Sequence, residues 1–327
     1  MSIIQTLKEK LIQSTTKPRI VYAEGWNSNI QSAALEVNNN NTIKPILIFH
    51  TKSEIPNGFN LPYIVIDKTD LTKYSNLLFE LRKNKGVTLE QAQQLVKQPN
   101  YLATLMVKAN DADGEICGIE YTTKDTLKPA LQIIKTTPSA KLVTSAFIME
   151  KGDELYVFGD CAINIYPTSE ELANIAKMIA LFANETASIS DVRVAMLSYS
   201  TVGSGAGESV DKVKTAYELI KNDTELKNKS IQVFGEMQFD AAFVPEIMHK
   251  KAKGISWTNT ANTFIFPNID AGNIGYKIAQ RMGRYNAIGP TLIGLALPVN
   301  DLSRGASKDD VVGLSYITGN QALNIKR

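Results

Sequence analysis

The side chains best suited to chemistry lie in a polar segment, PVNDLSRGASKDDVV (298–312), between two apolar stretches. Ser303, Arg304 and Asp310 occur here within a short distance along the chain. If a helix begins at this point, its free backbone N–H groups and the guanidinium favour an anionic ligand. The segment therefore predicts a site for an anionic substrate, with a carboxylate close by.

A structural role explains the same pattern. Ser307 can cap a helix, and Asp310, three residues later, can complete a capping box. Asp301 and Arg304 can form a surface ion pair. The residues alone leave both interpretations open.

A second polar stretch, LSYSTVGSGAGESV (197–210), is typical of a strand that enters a Gly- and Ser-rich turn before a helix. Amides and hydroxyls in such a turn can bind phosphate oxygens. The residues that could do so are Ser200, Thr201, Gly203 and Ser204. The stretch matches no nucleotide-binding fingerprint, and a flexible loop is the alternative interpretation.

A third stretch, FPNIDAGNIGYK (266–277), precedes Arg281. Asn273, Lys277 and Arg281 are spaced to share one face of a helix, where they could bind an anion or form a solvated basic surface.

Hydrolase and metal chemistry have little support. His50 and His249 are the only histidines, and neither lies in an H-E-x-x-H motif. No G-x-S-x-G elbow is present.

These segments need elements that position them. Six short apolar runs predict buried, parallel strands: 19–23, 44–49, 142–149, 193–198, 231–234 and 263–266. Helical periodicity lies between them, at 27–37, 170–184 and 210–222. The alternation predicts a layered α/β fold with ligands beyond the carboxyl ends of the strands.

Composition limits the partners. The 327 residues are 44% hydrophobic, and 35 Lys and Arg against 33 Asp and Glu leave a net charge of +2. No overall field then attracts nucleic acid or a membrane surface. Cys117 and Cys161 are the only cysteines and are not spaced for a disulfide framework or a zinc site. We expect a cytoplasmic protein with neither partner.

The chain resembles the phosphate acetyltransferases, within the phosphate acetyl/butyryl transferase family, from end to end. Seven ordered motifs carry the resemblance: RIVYAEG (19–25), DTLKPALQ (125–132), FGDCAIN (158–164), LSYST (197–201), GEMQFDAA (235–242), AGNIGYK (271–277) and PVNDLSRG (298–305). It implies a two-domain α/β fold like that of isocitrate and isopropylmalate dehydrogenases, with three-layer domains and an interdomain cleft, usually as a homodimer. The expected domains are residues 1–139 with 290–327, and residues 140–289.

The resemblance also implies roles for individual residues. Asp310 resembles the base that deprotonates the coenzyme A thiol, Ser303 its orienting hydroxyl, and Arg304 the group that stabilises charge at acetyl phosphate. The residues implied in binding substrate or coenzyme A are Arg82, Thr126, Lys128, Asn273, Arg281 and Asn300. No tightly bound cofactor and no divalent metal are expected, since coenzyme A is a substrate.

Three positions depart from the pattern of the family. Lys128 replaces an expected Arg, which keeps the charge but loses the bidentate fork. Val202 stands where Lys is common in the phosphate loop, and Ala306 where Cys often follows. Three other activities stay open: butyryl transfer, a decarboxylating dehydrogenase of the same fold, and a non-catalytic acyl phosphate sensor.

Overall fold

The computed structural model describes residues 2–325, which form two compact units. The outer unit combines Ile4–Thr137 with the chain from Leu295 onward, and the middle unit is Pro138–Gly294 together with the start of the chain up to Ile3. The chain thus leaves the outer unit after Thr137 and returns after Gly294, whereas the sequence analysis placed these limits after residues 139 and 289.

Regular elements alternate along the described chain. The strands are β1 (Arg19–Tyr22), β2 (Lys44–Phe49), β3 (Tyr63–Val65), β4 (Gly114–Cys117), β5 (Thr144–Lys151), β6 (Glu154–Gly159), β7 (Arg193–Leu197), β8 (Gln232–Met237), β9 (Thr263–Ile265), β10 (Asn286–Ile293) and β11 (Val299–Asp301). The helices are α1 (Ile3–Gln13), α2 (Ser28–Asn39), α3 (Thr72–Arg82), α4 (Leu89–Leu95), α5 (Pro99–Lys108), α6 (Thr123–Pro129), α7 (Ser169–Glu185), α8 (Glu208–Ile220), α9 (Thr224–Asn228), α10 (Phe239–Phe243), α11 (Pro245–Lys251), α12 (Ile269–Arg281) and α13 (Lys308–Asn324).

The outer unit is built on a parallel sheet with the order β11-β4-β1-β2-β3. Side chains alternate between the faces of a strand, and this alternation separates the helices into two layers. Glu115 faces α5, where Thr104 donates to it, whereas the space above the neighbouring Gly114 is occupied by Thr318 of α13. The three layers follow from this alternation, and β11 places residues 302–310 beyond the carboxyl end of its strand.

The middle unit has a mixed sheet with the order β10-β5-β6-β9-β7-β8. The expectation of a parallel strand at 142–149 is wrong, since β5 pairs antiparallel with both β6 and β10. The register of β10 shifts between Ile288 and Thr291, which brackets Pro290 on this edge strand. An edge strand tolerates a proline, which donates no ladder hydrogen bond. The expected domain limit between residues 289 and 290 thus falls inside β10.

Several helices begin with caps that the sequence specifies. Capping boxes join Thr122 to Asp125 at α6, Thr168 to Glu171 at α7, and Ser307 to Asp310 at α13. Each box satisfies two otherwise unpaired backbone donors. The starting points of these helices are therefore local properties of the chain.

Candidate active site

Ser303 and Arg304 lie in the short turn between β11 and α13, and both are exposed. Neither side chain has a hydrogen-bond or ion-pair partner within residues 2–325. The predicted surface pair of Asp301 with Arg304 is wrong, because Asp301 is 1% exposed and bonds elsewhere. A free guanidinium and a free hydroxyl, adjacent in sequence, are available to an anionic or electrophilic ligand.

Asp310 is exposed, and one of its oxygens belongs to the helix cap. Its Oδ2 accepts from the Ser307 backbone N–H at 2.8 Å and from Ser307 Oγ at 2.7 Å, and its own N–H donates to Ser307 Oγ at 3.2 Å. Its Oδ1 has no partner in the part of the chain that the structure describes. The capping interpretation is therefore confirmed, and one oxygen remains able to accept a proton from a ligand.

The turn that carries Ser303 is bound to the residues that follow β4. Leu302 N donates to Cys117 O at 2.7 Å, and Gly305 N donates to Ile119 O at 3.3 Å. From the other side, Asn29 Nδ2 donates to Ala306 O at 3.0 Å. Main-chain bonds to a neighbouring turn thus fix residues 302–306.

Asp301, at the end of β11, is the acid nearest in sequence to Ser303. Thr123 Oγ1 donates to its Oδ2 at 2.6 Å, while its Oδ1 is buried and makes no hydrogen bond of normal geometry within residues 2–325. The pKa of Asp301 is raised to about 6, mainly by burial and also by the charge of Glu24, while the hydroxyls of Thr123 and Thr126 lower it. The carboxyl therefore joins α6 to the strand that precedes Ser303.

Residues implied in coenzyme A binding lie on α6 and close to it. Lys128 is exposed, with no ion pair among the described residues. Thr126 is fully buried; its hydroxyl makes no hydrogen bond of normal geometry within residues 2–325 but lies close enough to Asp301 to lower the pKa of that carboxyl. Asn300 is also buried, and its Nδ2 donates to Thr318 Oγ1 at 2.8 Å and to Gln321 Oε1 at 2.7 Å. Of these three, only Lys128 has a side chain open to solvent.

Arg82 ends α3, and its Nε is buried without a hydrogen-bond partner in the described part of the chain. Its charge acts on Tyr101, opposing the rise that burial causes in the pKa of that phenol. Tyr101 in turn donates to Gln132 Oε1 at 3.1 Å. Gln132 lies on the π-helical turn Ala130–Ile134, one turn after Lys128. The fold therefore brings Arg82 into the neighbourhood of the helix that carries Lys128.

The Gly- and Ser-rich loop of the middle unit is held by hydrogen bonds to Glu236 and by one within the loop. Glu236 Oε1 accepts from Ser200 Oγ at 3.0 Å and from Gly203 N at 2.8 Å. Thr201 N donates to Ser204 Oγ at 3.0 Å. Several of the polar groups expected to face phosphate are therefore used in hydrogen bonds within the loop or to Glu236. The phosphate role of these residues stays a prediction.

Helix α12 presents the third predicted set. Asn273, Lys277 and Arg281 follow one another at four-residue spacing and share a face, as expected. Asn273 Nδ2 donates to Cys161 O at 3.1 Å, and Arg281 is exposed with no ion pair in residues 2–325. Lys277 Nζ lies 5.8 Å from the centroid of the Tyr276 ring.

Sequence reasoning missed three carboxylates that order strand-end turns: Glu24, Asp160 and Glu236. Asp160 accepts from the N–H groups of Ala162, at 2.9 Å, and Asn164, at 2.9 Å, and from the Ser145 hydroxyl. All three lie inside motifs that carry the family resemblance, next to a glycine. That position was the available signal, because an acid beside a glycine at a strand end can collect backbone N–H groups.

Within residues 2–325, no group of three or more His, Cys, Asp and Glu side chains is arranged to hold a metal ion. No helix in that range combines the length and apolar character needed to span a bilayer.

Comparison with known proteins identifies the family. A model of the phosphate acetyl/butaryl transferase family matches residues 2–319. The chain is 48% identical to the phosphate acetyltransferase of Mycoplasma genitalium, over 99% of this chain and all of that protein. A phosphotransacetylase structure from Streptococcus pyogenes superposes with a TM-score of 0.91 at 40% identity, covering 99% of this chain and 100% of the other.

A more distant structure is similar to this chain in fold alone. A Salmonella typhimurium protein assigned to the 4-hydroxythreonine-4-phosphate dehydrogenases gives a TM-score of 0.50 at 14% identity, over 94% of this chain and 99% of the other. The expected α/β fold, with its likeness to dehydrogenases, is therefore confirmed. By its full-length family match and its identity to relatives over their whole length, the chain belongs to the phosphate acetyl/butaryl transferase family.

Proposed function

We propose that this chain is a phosphate acetyltransferase, which transfers an acetyl group reversibly between acetyl phosphate and the thiol of coenzyme A. The observation that carries the proposal is the exposed, unpaired Ser303 and Arg304 at the end of β11, next to Asp310 at the start of α13. The name of the Mycoplasma genitalium relative supports the same activity.

The proposed reaction is direct transfer in a ternary complex. The thiolate sulfur forms a bond to the acetyl carbon, the bond from that carbon to the phosphate oxygen breaks, and phosphate leaves with the electron pair. Arg304 stabilises the negative charge that develops on the carbonyl oxygen. Asp310 Oδ1 takes the thiol proton, and the Ser303 hydroxyl orients the thiol.

Proton transfer sets a requirement on this site. An aspartate of ordinary pKa, about 3.9, and a thiol of about 8.5 differ by about 4.6 units, or about 6 kcal/mol. Proton transfer from the thiol to a carboxylate is therefore unfavourable unless another group stabilises the thiolate. A guanidinium beside the sulfur lowers the pKa of the thiol and makes deprotonation feasible. We therefore assign Arg304 a second task, the stabilisation of the thiolate.

Binding of coenzyme A is assigned to the outer unit. Arg82 and Lys128 are cations without ion-pair partners among the described residues, and they suit a diphosphate or a ribose phosphate. We propose that Arg281 and the loop 200–204 bind substrate through the middle unit. The reaction needs no metal-bound hydroxide, so we propose neither a divalent metal nor a tightly bound cofactor.

One assay tests the activity: coenzyme A-dependent consumption of acetyl phosphate by the purified protein, with butyryl phosphate as the competing substrate and with and without a chelator. We expect faster turnover of acetyl phosphate, unaffected by chelation. A preference for butyryl phosphate would assign the other acyl group of the family. Loss of turnover in chelator, restored by one divalent ion, would contradict the metal-free proposal.

We further propose that the protein is a homodimer in the cytoplasm. Ile274 and Ile278 of α12 and Met282, directly after this helix, form an apolar stripe. Their exposed fractions are 58%, 52% and 81%. Such a stripe is typical of an interface. Two buried free thiols, Cys117 and Cys161, suit a reducing compartment. Light scattering should give the mass of a dimer for the wild type and of a monomer for Ile278→Glu/Met282→Glu, while Lys277→Glu stays dimeric. A monomeric wild type would contradict the dimer.

A further inference from the structure

Glu24, directly after β1, is fully buried and surrounded by backbone donors. Its Oε2 accepts from the N–H groups of Gly118 at 2.9 Å and Ile119 at 3.1 Å, and its Oε1 from Glu120 at 2.7 Å and Tyr121 at 2.8 Å. Four consecutive amides thus close around one carboxylate. Burial raises the pKa of Glu24, and the four hydrogen bonds oppose that rise by favouring the ionised form.

The turn at 118–121 lies against the segment that carries the residues assigned to acetyl transfer. The carbonyls of Cys117 and Ile119, on either side of Gly118, accept the bonds from Leu302 and Gly305 that fix the Ser303–Arg304 turn. Gly118 has a φ of 106°, and a side chain there would lie 2.8 Å from the backbone of Leu302. The two turns are therefore in close main-chain contact.

The same turn leads into the helix assigned to coenzyme A. Thr122, one residue after the four amides, caps α6 through its capping box with Asp125. Lys128 lies in the last turn of that helix. The turn 118–121 is thus joined on one side to the segment that carries Arg304 and on the other to the helix that carries Lys128.

We propose that Glu24 is a positioning residue for acetyl transfer: its carboxylate fixes the turn 118–121 and thereby sets the places of Ser303 and Arg304. The inference rests on the proposed function. Glutamine fills the same volume, but its NH₂ group donates and would face backbone N–H donors. The turn must then shift, and displacement of reacting groups by about 1 Å can cost about 100-fold in rate.

The test compares Glu24→Gln with a matched variant, Glu115→Gln. Glu115 is also fully buried in the outer unit, but its carboxylate accepts from Thr104 Oγ1 at 2.8 Å and from none of the residues 118–121 or 302–305. We expect kcat to fall by about 100-fold in Glu24→Gln, through misplacement of Arg304, and by less than about twofold in Glu115→Gln.

A double variant separates positioning from general damage. If Glu24 acts through Arg304, Glu24→Gln should cost less than about threefold in kcat once Arg304→Ala is present, because groups that act as a unit are not additive. If Glu24→Gln instead damages the protein in general, the fold-losses in kcat of the two single variants should multiply in the double variant. That result, or a folded Glu24→Gln enzyme with near wild-type kcat, would overturn the inference.

A third variant guards against misfolding. If Glu24→Gln does not fold by thermal melt, Glu24→Asp keeps the charge but is too short to reach all four amides, and the same outcomes apply to it. An inactive wild type would overturn the proposed function and this inference together, whereas an active wild type with an unaffected Glu24 variant overturns the inference alone.

Discussion

Asp310 caps α13 through Oδ2, and the role of base that we propose for it falls to Oδ1, which has no partner in residues 2–325. The helix N-terminus holds the carboxylate in a fixed orientation through Ser307. A base that must meet a thiol at one position benefits from such an orientation, since geometry precedes pKa in general-base catalysis.

Substitution of Asp310 by Asn should separate the two tasks. The amide oxygen can still accept from the Ser307 N–H, so we expect a loss of at most about 1 kcal/mol in stability. We expect kcat to fall by about 100-fold or more, because the amide takes no proton. The measurements are kcat and a thermal melt. Asp309→Asn, at the adjacent exposed position outside the cap, is the control. A folded Asp310→Asn enzyme with wild-type kcat would transfer the role of base to another acid, with Asp301 the first to test.

The family resemblance leads us to expect an arginine where Lys128 stands, and we propose that Lys128 binds coenzyme A. Lysine offers a point charge without the planar fork of arginine, so we expect it to bind a phosphate group more weakly. Lys128→Ala should raise the KM for coenzyme A more than it lowers kcat, and Lys128→Arg should lower that KM below the wild-type value. Lys124→Ala, also exposed on α6, should change neither. A rise in the KM for acetyl phosphate alone would contradict the assignment.

At the scale of elements, buried acids at or near strand ends bind the backbone N–H groups of neighbouring loops. Glu24 holds the turn after β4, Asp160 the turn after β6, and Glu236, within β8, the loop after β7. A carboxylate that accepts several N–H groups neutralises donors that a buried turn would otherwise leave unpaired.

Loss of order in the loop 200–204 should weaken the binding of phosphate but not of coenzyme A. Glu236→Ala removes the oxygen that accepts from both Ser200 Oγ and the Gly203 N–H group, so the loop 200–204 becomes less ordered. We expect the KM for phosphate to rise several-fold with little change in the KM for coenzyme A. Glu208→Ala, exposed at the start of α8 after the same loop, is the control. Equal rises in both KM values would indicate a wider disturbance than the loop.

At the scale of the whole molecule, buried acids make stability depend on pH. Glu115 is buried in β4 with Oε1 lacking a partner, and burial raises its pKa to about 8. The folded state therefore binds this proton more tightly than the unfolded state between about pH 4.5 and pH 8. The contribution to stability is complete below that window and is lost as pH rises through it.

Glu115→Gln removes this titration, since the amide is neutral at every pH. The melting temperature of the variant relative to the wild type should rise between pH 5 and pH 8. The difference between the two proteins removes the titrations that they share, such as that of Asp301, whose pKa burial also raises. The charge of Glu24 contributes to the raised pKa of Glu115, so the difference reports Glu115 in the presence of that neighbour. A difference that stays constant across this range would show that Glu115 does not titrate within it.

The sequence by itself determined the local features: the capping box of Ser307 with Asp310, the shared face of Asn273 and Arg281, and the strands at 19–23 and 44–49. Caps and periodicity depend on neighbours a few residues away, so a linear reading finds them. The motifs, which together span most of the chain, also determined the family.

Only the tertiary structure decided which polar groups are free. Asp301 was a candidate surface partner for Arg304 but is buried against Thr123, and the hydroxyl of Ser200 is used by Glu236. The antiparallel β5 and the edge position of Pro290 depend on which strands pair. Glu24 binds residues more than ninety positions away. Such pairings depend on burial and on contacts between distant segments, because the free energy of a polar group is set by its surroundings rather than by its neighbours in sequence.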